Sequence, residues 1–296
     1  MNRSIALIGC GKAGLSVSLA LKSAGWTVTS CSSLSDESTR RGVEWLACNP
    51  MVLWNSIPQK TAILLGVPEG ALKEVDERLA REDAHLKGRV VIHLSGGLPA
   101  RVLERCRLGG ASVGSLHPIM ALPDPLTGAK RLKAATFAIE GRAKAVGVMQ
   151  AIAHSISDRF FLLSPRGKVL YHAAAVVASN HLLALLSDSQ AILERAGADM
   201  ATALPAFQSL VEGTVANFFA GGGAVAALTG PVERGDSDMV KNHLQSLKRW
   251  PAQQERYRVM ALATLRIAMQ RHPGREKSLL GLAKMLEEWQ SSGGKG

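Results

Sequence analysis

A glycine motif directly after an apolar run constrains this fold more than any other feature of the sequence. Residues 4–9 read SIALIG, and a GxGxxG spacing begins at Gly9 and opens a helix-like segment. This order suits a strand–turn–helix unit that binds a dinucleotide, because Gly9 permits the turn, Gly11 admits a pyrophosphate and Gly14 allows close helix–strand packing. The motif therefore predicts cofactor contacts at Gly9, Gly11, Lys12, Ala13 and Gly14.

Strand-like and helix-like segments alternate through the first half of the chain. Strands are predicted near residues 4–9, 26–30, 61–67, 89–95, 111–115 and 135–141. Several are continuously apolar, which is typical of a parallel sheet covered on both faces. Helical periodicity dominates after about residue 160. We predict an α/β domain followed by an all-α domain. The first is a Rossmann-like doubly wound parallel sheet over residues 1–160, and the second is an all-helical substrate and dimerisation domain over residues 161–296.

Charge and cysteine content narrow the function classes. The formal charge is +11, but the basic residues are scattered and aromatic residues make up only 4%, so a phosphorylated cofactor is favoured over nucleic acid. The four cysteines lack zinc spacing, which predicts no metal site and a reduced, cytoplasmic environment. No run of 18 apolar residues occurs, so we expect no membrane span. The final residues, SSGGKG, are expected to be disordered.

The end of the second predicted strand indicates which dinucleotide binds. An NAD site normally has Asp or Glu there for the ribose 2′-hydroxyl. Here Ser32 and Ser33 follow Cys31, and Arg40 and Arg41 come on the next predicted helix. Hydroxyl groups with a nearby guanidinium suit a 2′-phosphate, so these four residues are predicted to bind NADP (NADPH). Two alternatives stay open: both arginines lie on a solvated helix face, or Asp36 folds back into the acidic role.

Three further strand ends fall at the same edge of the predicted sheet. Val67-Pro68 ends one strand and Ser95 ends the next, so both are expected to line the cofactor crevice. In GSLHPIMAL (114–122), Pro118 disfavours helix and is expected to end a third strand at His117. His117 is therefore a candidate proton donor and Ser115 a candidate substrate contact. Otherwise His117 is only the last residue before a turn.

Polar residues form a stripe on the first helix after the sheet. Lys168, His172 and Ser179 are separated by four and seven residues among Ala, Val and Leu, so they share a helix face. A polar stripe on an apolar helix faces water, a partner or a site. Lys168 and His172 are candidate catalytic groups, and Ser179 and Asn180 are candidate substrate contacts. The alternative is an exposed lysine and a hydrogen-bonded core histidine.

A tight loop in the helical half supplies one more candidate. In LTGPVERGD, Arg234 could bind a substrate carboxylate through its guanidinium. Structural roles explain much of the same segment, because Gly230-Pro231 can end one helix and Asp236 or Ser237 can cap the next.

Five segments together resemble a known family. They are ALIGCGKAG, LLGVPEGAL, GSLHPIMAL, YHAAAVVASNHLLAL and ALTGPVERGD, and they span Ile5 to about Leu247. These segments are similar to bacterial Rossmann-like oxidoreductases with a C-terminal helical domain of unknown function. Those proteins are relatives of the deazaflavin-dependent NADP reductase, pyrroline-5-carboxylate reductase and β-hydroxyacid dehydrogenase group. They often have an Arg directly after the second strand, where this chain has Cys31-Ser32-Ser33.

The resemblance implies hydride transfer between NADPH and a small carbonyl or imine compound bound between the two domains. It also implies a homodimer formed through the helical domain. Lys168-x-x-x-His172 resembles the Lys-x-x-x-Asn pair of β-hydroxyacid dehydrogenases, in which the lysine is the acid/base group. Which of His117, Lys168 and His172 donates the proton stays open. Two other functions stay open as well: a non-catalytic NADP-binding regulator, and a prephenate-type dehydrogenase, whose class also carries His-Pro after a strand.

Overall fold

The computed structural model describes residues 3–289 except Ala84, His272, Pro273 and Arg275. The chain divides into two compact units, Met1–His181 and Leu182–Gly296. The helix that starts at Gly167 belongs to the first unit, and its Lys168 is buried. The domain boundary at residues 160/161 stays a prediction. The predicted disordered tail, residues 291–296, lies outside the described residues.

The first unit is built on an eight-stranded sheet among the described residues. Its strands are β1 Ser4–Ile8, β2 Thr27–Ser32, β3 Asn49–Pro50, β4 Ala62–Leu65, β5 Val90–His93, β6 Ser112–Ile119, β7 Thr136–Gly141 and β8 Phe160–Leu162. The spatial order is β3-β2-β1-β4-β5-β6-β7-β8, and all neighbouring pairs are parallel except β6–β7. Six of these strands have the order of a doubly wound dinucleotide-binding sheet. The predicted fold class is confirmed.

Helices cover both faces of this sheet. They are α1 Lys12–Ser23, α2 Asp36–Leu46, α3 Leu72–Glu82, α4 Glu104–Leu108, α5 Pro125–Arg131, α6 Ala143–Ile156 and α7 Gly167–Val176, with short 3₁₀ turns at Trp54–Ser56, Glu69–Ala71, Ala100–Val102 and Leu132–Ala134. Alternate residues of each strand enter two separate cores: Leu7 and Ile92 lie in one, and Ile63 and Val91 in the other. Two buried faces explain why the strands read as continuous apolar runs.

Strand β6 corrects one prediction. It does not end at His117 but continues through Pro118 to Ile119, where it pairs with β7 in the antiparallel sense. Strand β5 stops opposite Ser115, so beyond that residue β6 has a neighbour on one side only. A proline, which lacks an N–H donor, is tolerated in such a half-paired segment.

The second unit is helical. After a π-helical turn at Val177–His181, its helices are α8 Leu182–Arg195, α9 Met200–Phe219, α10 Gly223–Ala227, α11 Pro231–Arg234, α12 Ser237–Ser246, α13 Pro251–Arg271 and α14 Glu276–Glu288. Its core is formed by α11 to α14, with Val240, Leu265 and Leu282 among the buried residues. By contrast, α8 and α9 contain no buried residue among those described.

Within the described part of the chain, one helical stretch is apolar enough to cross a membrane by length and composition alone. It runs over Gly167–Arg195 and has a mean hydropathy of 1.6. This stretch was not expected from the sequence, because the prediction of a span rested on an uninterrupted apolar run. Here single polar residues, such as Lys168 and His172, interrupt the apolar ones.

Candidate active site

Three glycines bring the first turn of α1 against the ends of β1 and β4. Gly9 has a φ of +98°, which a residue with a side chain adopts only under strain. A Cβ on Gly14 would lie 2.3 Å from the Gly9 carbonyl oxygen, and one on Gly66 would lie 2.6 Å from the Gly14 Cα. Because backbone atoms surround both positions, only glycine fits. These contacts explain Gly9 and Gly14 of the motif and add Gly66 as a third member of the cradle.

The start of α1 leaves N–H groups available for an anion. Gly11 is the N-cap residue and offers no side-chain hydrogen bond, and the first turn contains no acidic residue. Lys12 is exposed and Ala13 half-buried at this end. Free N–H groups at a helix start attract phosphate oxygens.

The end of β2 carries hydroxyl groups and no carboxylate. Ser33 accepts a hydrogen bond from the Cys10 N–H at 3.4 Å, and Ser32 contacts the Met51 sulfur at 3.7 Å. Helix α2 then begins at Asp36, and both of its arginines are exposed. The Arg41 guanidinium lies 5.9 Å from the centre of the Trp45 ring.

A carboxylate joins the loop after β4 to the loop after β5. Glu69 accepts hydrogen bonds from the Ser95 hydroxyl and from the Gly97 N–H, the latter at 3.2 Å. Burial alone would raise the pKa of Glu69, but these two hydrogen bonds outweigh it and hold the pKa below its usual value. Val67, in the same loop, packs against Gly9, where a Cβ would lie 2.8 Å from its Cγ1. The cradle and the β5 loop are therefore linked through residues 66–69.

Two imidazole rings meet above Gly96 in the β5 loop. A Cβ on Gly96 would lie 2.6 Å from His172 Nδ1 and 2.9 Å from His117 Nε2. The two rings are edge to face, with centroids 6.1 Å apart. Gly96 therefore has no room for a side chain, and the β5 loop lies directly against both predicted catalytic histidines.

Register across the sheet brings further polar groups beneath this point. His93 on β5 pairs with Ser115 on β6, which pairs with Glu140 on β7, so all three side chains share one sheet face. All three are buried. The Ser115 hydroxyl donates to the Ser95 carbonyl at 3.2 Å, His93 Nδ1 accepts from the Ser95 N–H at 3.2 Å, and Glu140 accepts from the Ala100 N–H. These residues hold the β5 loop from below.

Helix α7 contributes Lys168, Tyr171 and His172. Lys168 is 0% exposed, its Nζ makes no hydrogen bond, and it lies 5.5 Å from the centre of the Tyr171 ring. The Tyr171 hydroxyl lies 2.6 Å from His117 Nδ1. His172 Nδ1 is buried without a hydrogen-bond partner. The predicted catalytic residues His117, Lys168 and His172 therefore lie together.

The pKa values of the groups in this cluster differ widely. Burial, with the nearby Lys168 charge, lowers the pKa of His117 to about 4, so its ring is neutral at pH 7. Burial lowers the pKa of Lys168 to about 8, although Glu140 and Glu69 favour its charged form. Burial raises the pKa of Tyr171 to about 12. At pH 7 the cluster contains one ammonium group that can give up a proton near neutrality.

The other predicted substrate contacts have different surroundings. Ser115 is buried and hydrogen-bonded to the β5 loop, whereas Ser179 and Asn180 are exposed and hydrogen-bonded to each other at 3.0 Å. The π-helical turn at Val177–His181 interrupts the α-helical repeat, so Ser179 does not continue the stripe of Lys168 and His172. Arg234 is an exposed residue of the second unit. In its loop, Asp236 caps α12 by accepting from the Met239 N–H at 3.0 Å, as predicted.

Six site residues were not predicted from the sequence: Gly66, Glu69, His93, Gly96, Glu140 and Tyr171. Glu69 and Gly96 had a usable signal, because each follows an apolar strand in a segment already assigned to the crevice. Glu140 had none, since its place beside Ser115 depends on the antiparallel register of β7. Tyr171 lies next to His172, and its role depends on how α7 packs over β6.

Fold and site define the class: a Rossmann-like protein with a C-terminal helical domain. A profile described as a Rossmann-like domain matches residues 2–118, and a profile described as a domain of unknown function (DUF2520) matches residues 135–264. The two matches together confirm the resemblance found in the sequence. No curated protein sequence matches the chain.

Solved structures share this fold across nearly the whole chain. A protein from Thermotoga maritima has 22% identity and a TM-score of 0.70, covering 90% of this chain and 98% of its own. A candidate NADP oxidoreductase from Bacteroides fragilis has 21% identity and a TM-score of 0.70, covering 88% and 97%. An imine reductase from Myxococcus stipitatus in complex with NADP+ has 15% identity and a TM-score of 0.59, covering 96% and 93%.

Proposed function

We propose that this protein is a cytoplasmic NADP-dependent oxidoreductase that transfers a hydride between NADPH and a small carbonyl or imine compound. The proposal rests on one observation. The glycine cradle, the Glu69 carboxylate that joins the loops after β4 and β5, and the cluster of His117, Lys168 and His172 adjoin one another at the carboxyl edge of one sheet. Ligands of doubly wound sheets bind at that edge. The names of two related structures, a candidate NADP oxidoreductase and an imine reductase, support the same reaction class.

The residues present fit a dinucleotide. Gly9 and Gly14 let the start of α1 lie against the ends of β1 and β4, and the N–H groups of Lys12 and Ala13 at that start suit the phosphates. Ser32, Ser33, Arg40 and Arg41 would suit a 2′-phosphate, and Val67, Pro68 and Ser95 would border the nicotinamide end of a bound dinucleotide. When bound, NADPH supplies the hydride.

Lys168 supplies the proton in this proposal. Reduction of a C=O or C=N bond leaves an electron pair on the oxygen or nitrogen, which then takes up a proton. At pH 7 Lys168 is largely protonated because its pKa is about 8, and its N–H groups make no other hydrogen bond. His117, with a pKa of about 4, has no second proton to give at that pH and acts as a hydrogen-bond donor or acceptor. His172 borders the same space above Gly96.

We also propose a homodimer formed through the helical unit. Helices α8 and α9 are rich in Leu, Val, Ala and Phe, yet no described residue of either is buried. Leu183, Leu210 and Phe219 are among the exposed apolar side chains. An apolar surface of this extent is typical of an interface, and a second copy of the chain is the occupant we propose.

Two experiments, coenzyme binding and then turnover, test the proposed function. Titration of the protein with NADPH and NADH should give clearly tighter binding of NADPH. NADPH oxidation should then be followed with panels of ketones, 2-oxo acids and cyclic imines, with Gly14→Ala as the control that lacks the cradle. The proposal is supported if the wild type oxidises NADPH with compounds of at least one panel and Gly14→Ala does not. Tight NADPH binding without turnover of any compound would contradict it and favour the regulatory alternative.

A further inference from the structure

Tyr171 makes a contact that the proposed reaction does not use. Its hydroxyl lies 2.6 Å from His117 Nδ1, and the two rings meet edge to face with centroids 5.8 Å apart. Phe161 packs on the other side of Tyr171, also edge to face at 5.8 Å. The Lys168 ammonium lies 5.5 Å from the centre of the same ring. Tyr171 is therefore held in place from three sides.

The direction of this hydrogen bond follows from chemistry. Both groups are neutral at pH 7, because burial raises the pKa of Tyr171 to about 12 and lowers that of His117 to about 4. A phenol is a stronger donor than a neutral imidazole N–H, and an imidazole nitrogen is a stronger acceptor than a phenol oxygen. Among the described residues, His117 Nδ1 is also the acceptor within reach of the Tyr171 hydroxyl. Tyr171 therefore donates to Nδ1, which leaves the His117 proton on Nε2.

We propose that Tyr171 is a positioning residue that fixes His117 in the Nε2–H tautomer, so that His117 presents a neutral N–H donor to a substrate oxygen. This inference rests on the proposed function and narrows it. Nε2 is the ring atom that lies above Gly96, 2.9 Å from the position of a Gly96 Cβ, on the side where the β5 loop meets α7. Nδ1 is thus occupied by the Tyr171 hydroxyl, and the Nε2–H lies beside Gly96 in the site.

A fixed donor selects the chemical class of the substrate. Besides Tyr171, the charged and titratable groups around His117 are Lys168, His172, Glu69 and His93. His117 Nε2–H and the Lys168 ammonium are both donors, so together they suit an acceptor with lone pairs, such as a carbonyl oxygen on which negative charge develops. A protonated iminium nitrogen has no lone pair and carries positive charge, so it would be repelled by Lys168. We therefore assign an aldehyde or ketone as substrate.

Nitrogen NMR of the histidine side chains tests the tautomer without any substrate. Spectra of the full-length protein, free and with NADPH, should show His117 as the neutral Nε2–H form from pH 6 to 8, with His117→Gln used for assignment. Tyr171→Phe keeps the ring but removes the hydroxyl, so the His117 signals should move towards a mixture of tautomers. An Nδ1–H form in the wild type, or an unchanged tautomer in Tyr171→Phe, would overturn the inference.

The chain offers a matched control. In the second unit, His243 Nδ1 lies 2.7 Å from the Tyr257 hydroxyl, with the same edge-to-face contact at 5.6 Å. Tyr257→Phe removes an equivalent hydrogen bond in the second unit. It should leave the His117 signals and the rate of NADPH oxidation as they are in the wild type.

Kinetics separates this inference from the proposed function. With cyclohexanone, pyruvate and 2-methyl-1-pyrroline as probes, His117→Ala removes the oriented donor and should lower kcat for the carbonyl probes by roughly 10²-fold. Tyr171→Phe leaves part of His117 in the Nε2–H form, so it should lower kcat for the same probes by only about 2- to 10-fold, without changing NADPH affinity. Preferred turnover of the pyrroline over both carbonyl probes would overturn the substrate class. No turnover of any probe would count against the proposed function, while the NMR result would still decide the tautomer.

Discussion

Lys168 is the residue whose environment is hardest to explain by stability alone. It is fully buried, its ammonium has no hydrogen-bond partner, and burial lowers its pKa to about 8. A buried charge that is not hydrogen-bonded lowers the stability of the folded state. Residues of this kind are typical of functional sites. Activity and stability should therefore respond to its removal in opposite directions.

Lys168→Met tests this at the residue scale. Methionine keeps most of the side-chain volume but cannot donate a proton, so kcat should fall by about 10²- to 10⁴-fold while NADPH still binds. The folded-state pKa of Lys168 is lowered from 10.5 to about 8, so the folded state is penalised below pH 8 and the penalty fades as pH rises towards 10.5. The variant should melt above the wild type at pH 7, with a smaller difference near pH 10. A lower melting temperature at pH 7 would contradict this account.

The pH dependence of reduction follows from the same residue. If protonated Lys168 is the acid, kcat should be level below about pH 8 and fall by about tenfold for each further pH unit. His117 titrates near pH 4, so it should add no step between pH 5 and 8. Steady-state rates at saturating NADPH over pH 5–10 give the profile. A step near pH 6.5 would instead indicate a histidine as the acid.

At the scale of elements, the loop between β1 and α1 depends on backbone contact. Gly14→Ala would bring a methyl group against the Gly9 carbonyl oxygen at 2.3 Å, so α1 must move away from β1. We expect weaker NADPH binding and a loss of roughly 1–3 kcal/mol in stability. Gly70→Ala is the control, because nothing lies within 4 Å of a Cβ there. NADPH titration and denaturant unfolding measure both effects; equal behaviour of the two variants would refute the cradle.

Elements with strong local patterns were predictable from the sequence. Strand β1 and helix α1 follow from one apolar run and one glycine motif, and the change from sheet to helices near residue 160 follows from periodicity. The extension of β6 past Pro118 was not predictable, since it depends on β7 pairing alongside from a distance in sequence. The π-helical turn that moves Ser179 off the stripe has no local signal either.

The site was predictable in part for the same reason. His117 and the Lys168/His172 pair could be placed near one another because parallel strand ends share an edge and residues four apart share a helix face. The hydrogen bond from Tyr171 to His117 and the bridge from Glu69 to Ser95 depend on distances between separate elements. No spacing in one sequence encodes such distances.

At the scale of the whole molecule, the proposed homodimer rests on the unburied helices α8 and α9. Sedimentation velocity should find a dimer at micromolar concentration. Leu210→Asp places a charge on an exposed apolar position of α9 and should shift the population towards monomer. Leu108→Asp, at an exposed position of α4 in the first unit, is the matched control and should leave the dimer intact. A wild-type monomer at all concentrations would contradict the proposed assembly.

The central claim is that the molecule as a whole moves a hydride between NADPH and a small unsaturated compound. The most direct measurement uses NADPH that carries deuterium at C4 of the nicotinamide, in each of its two stereochemical forms, with the carbonyl and imine panels. Mass spectrometry of the products should find deuterium on the former C=O or C=N carbon with one form only. Products without the label from either form, or NADPH that stays unoxidised with every compound, would contradict the claim.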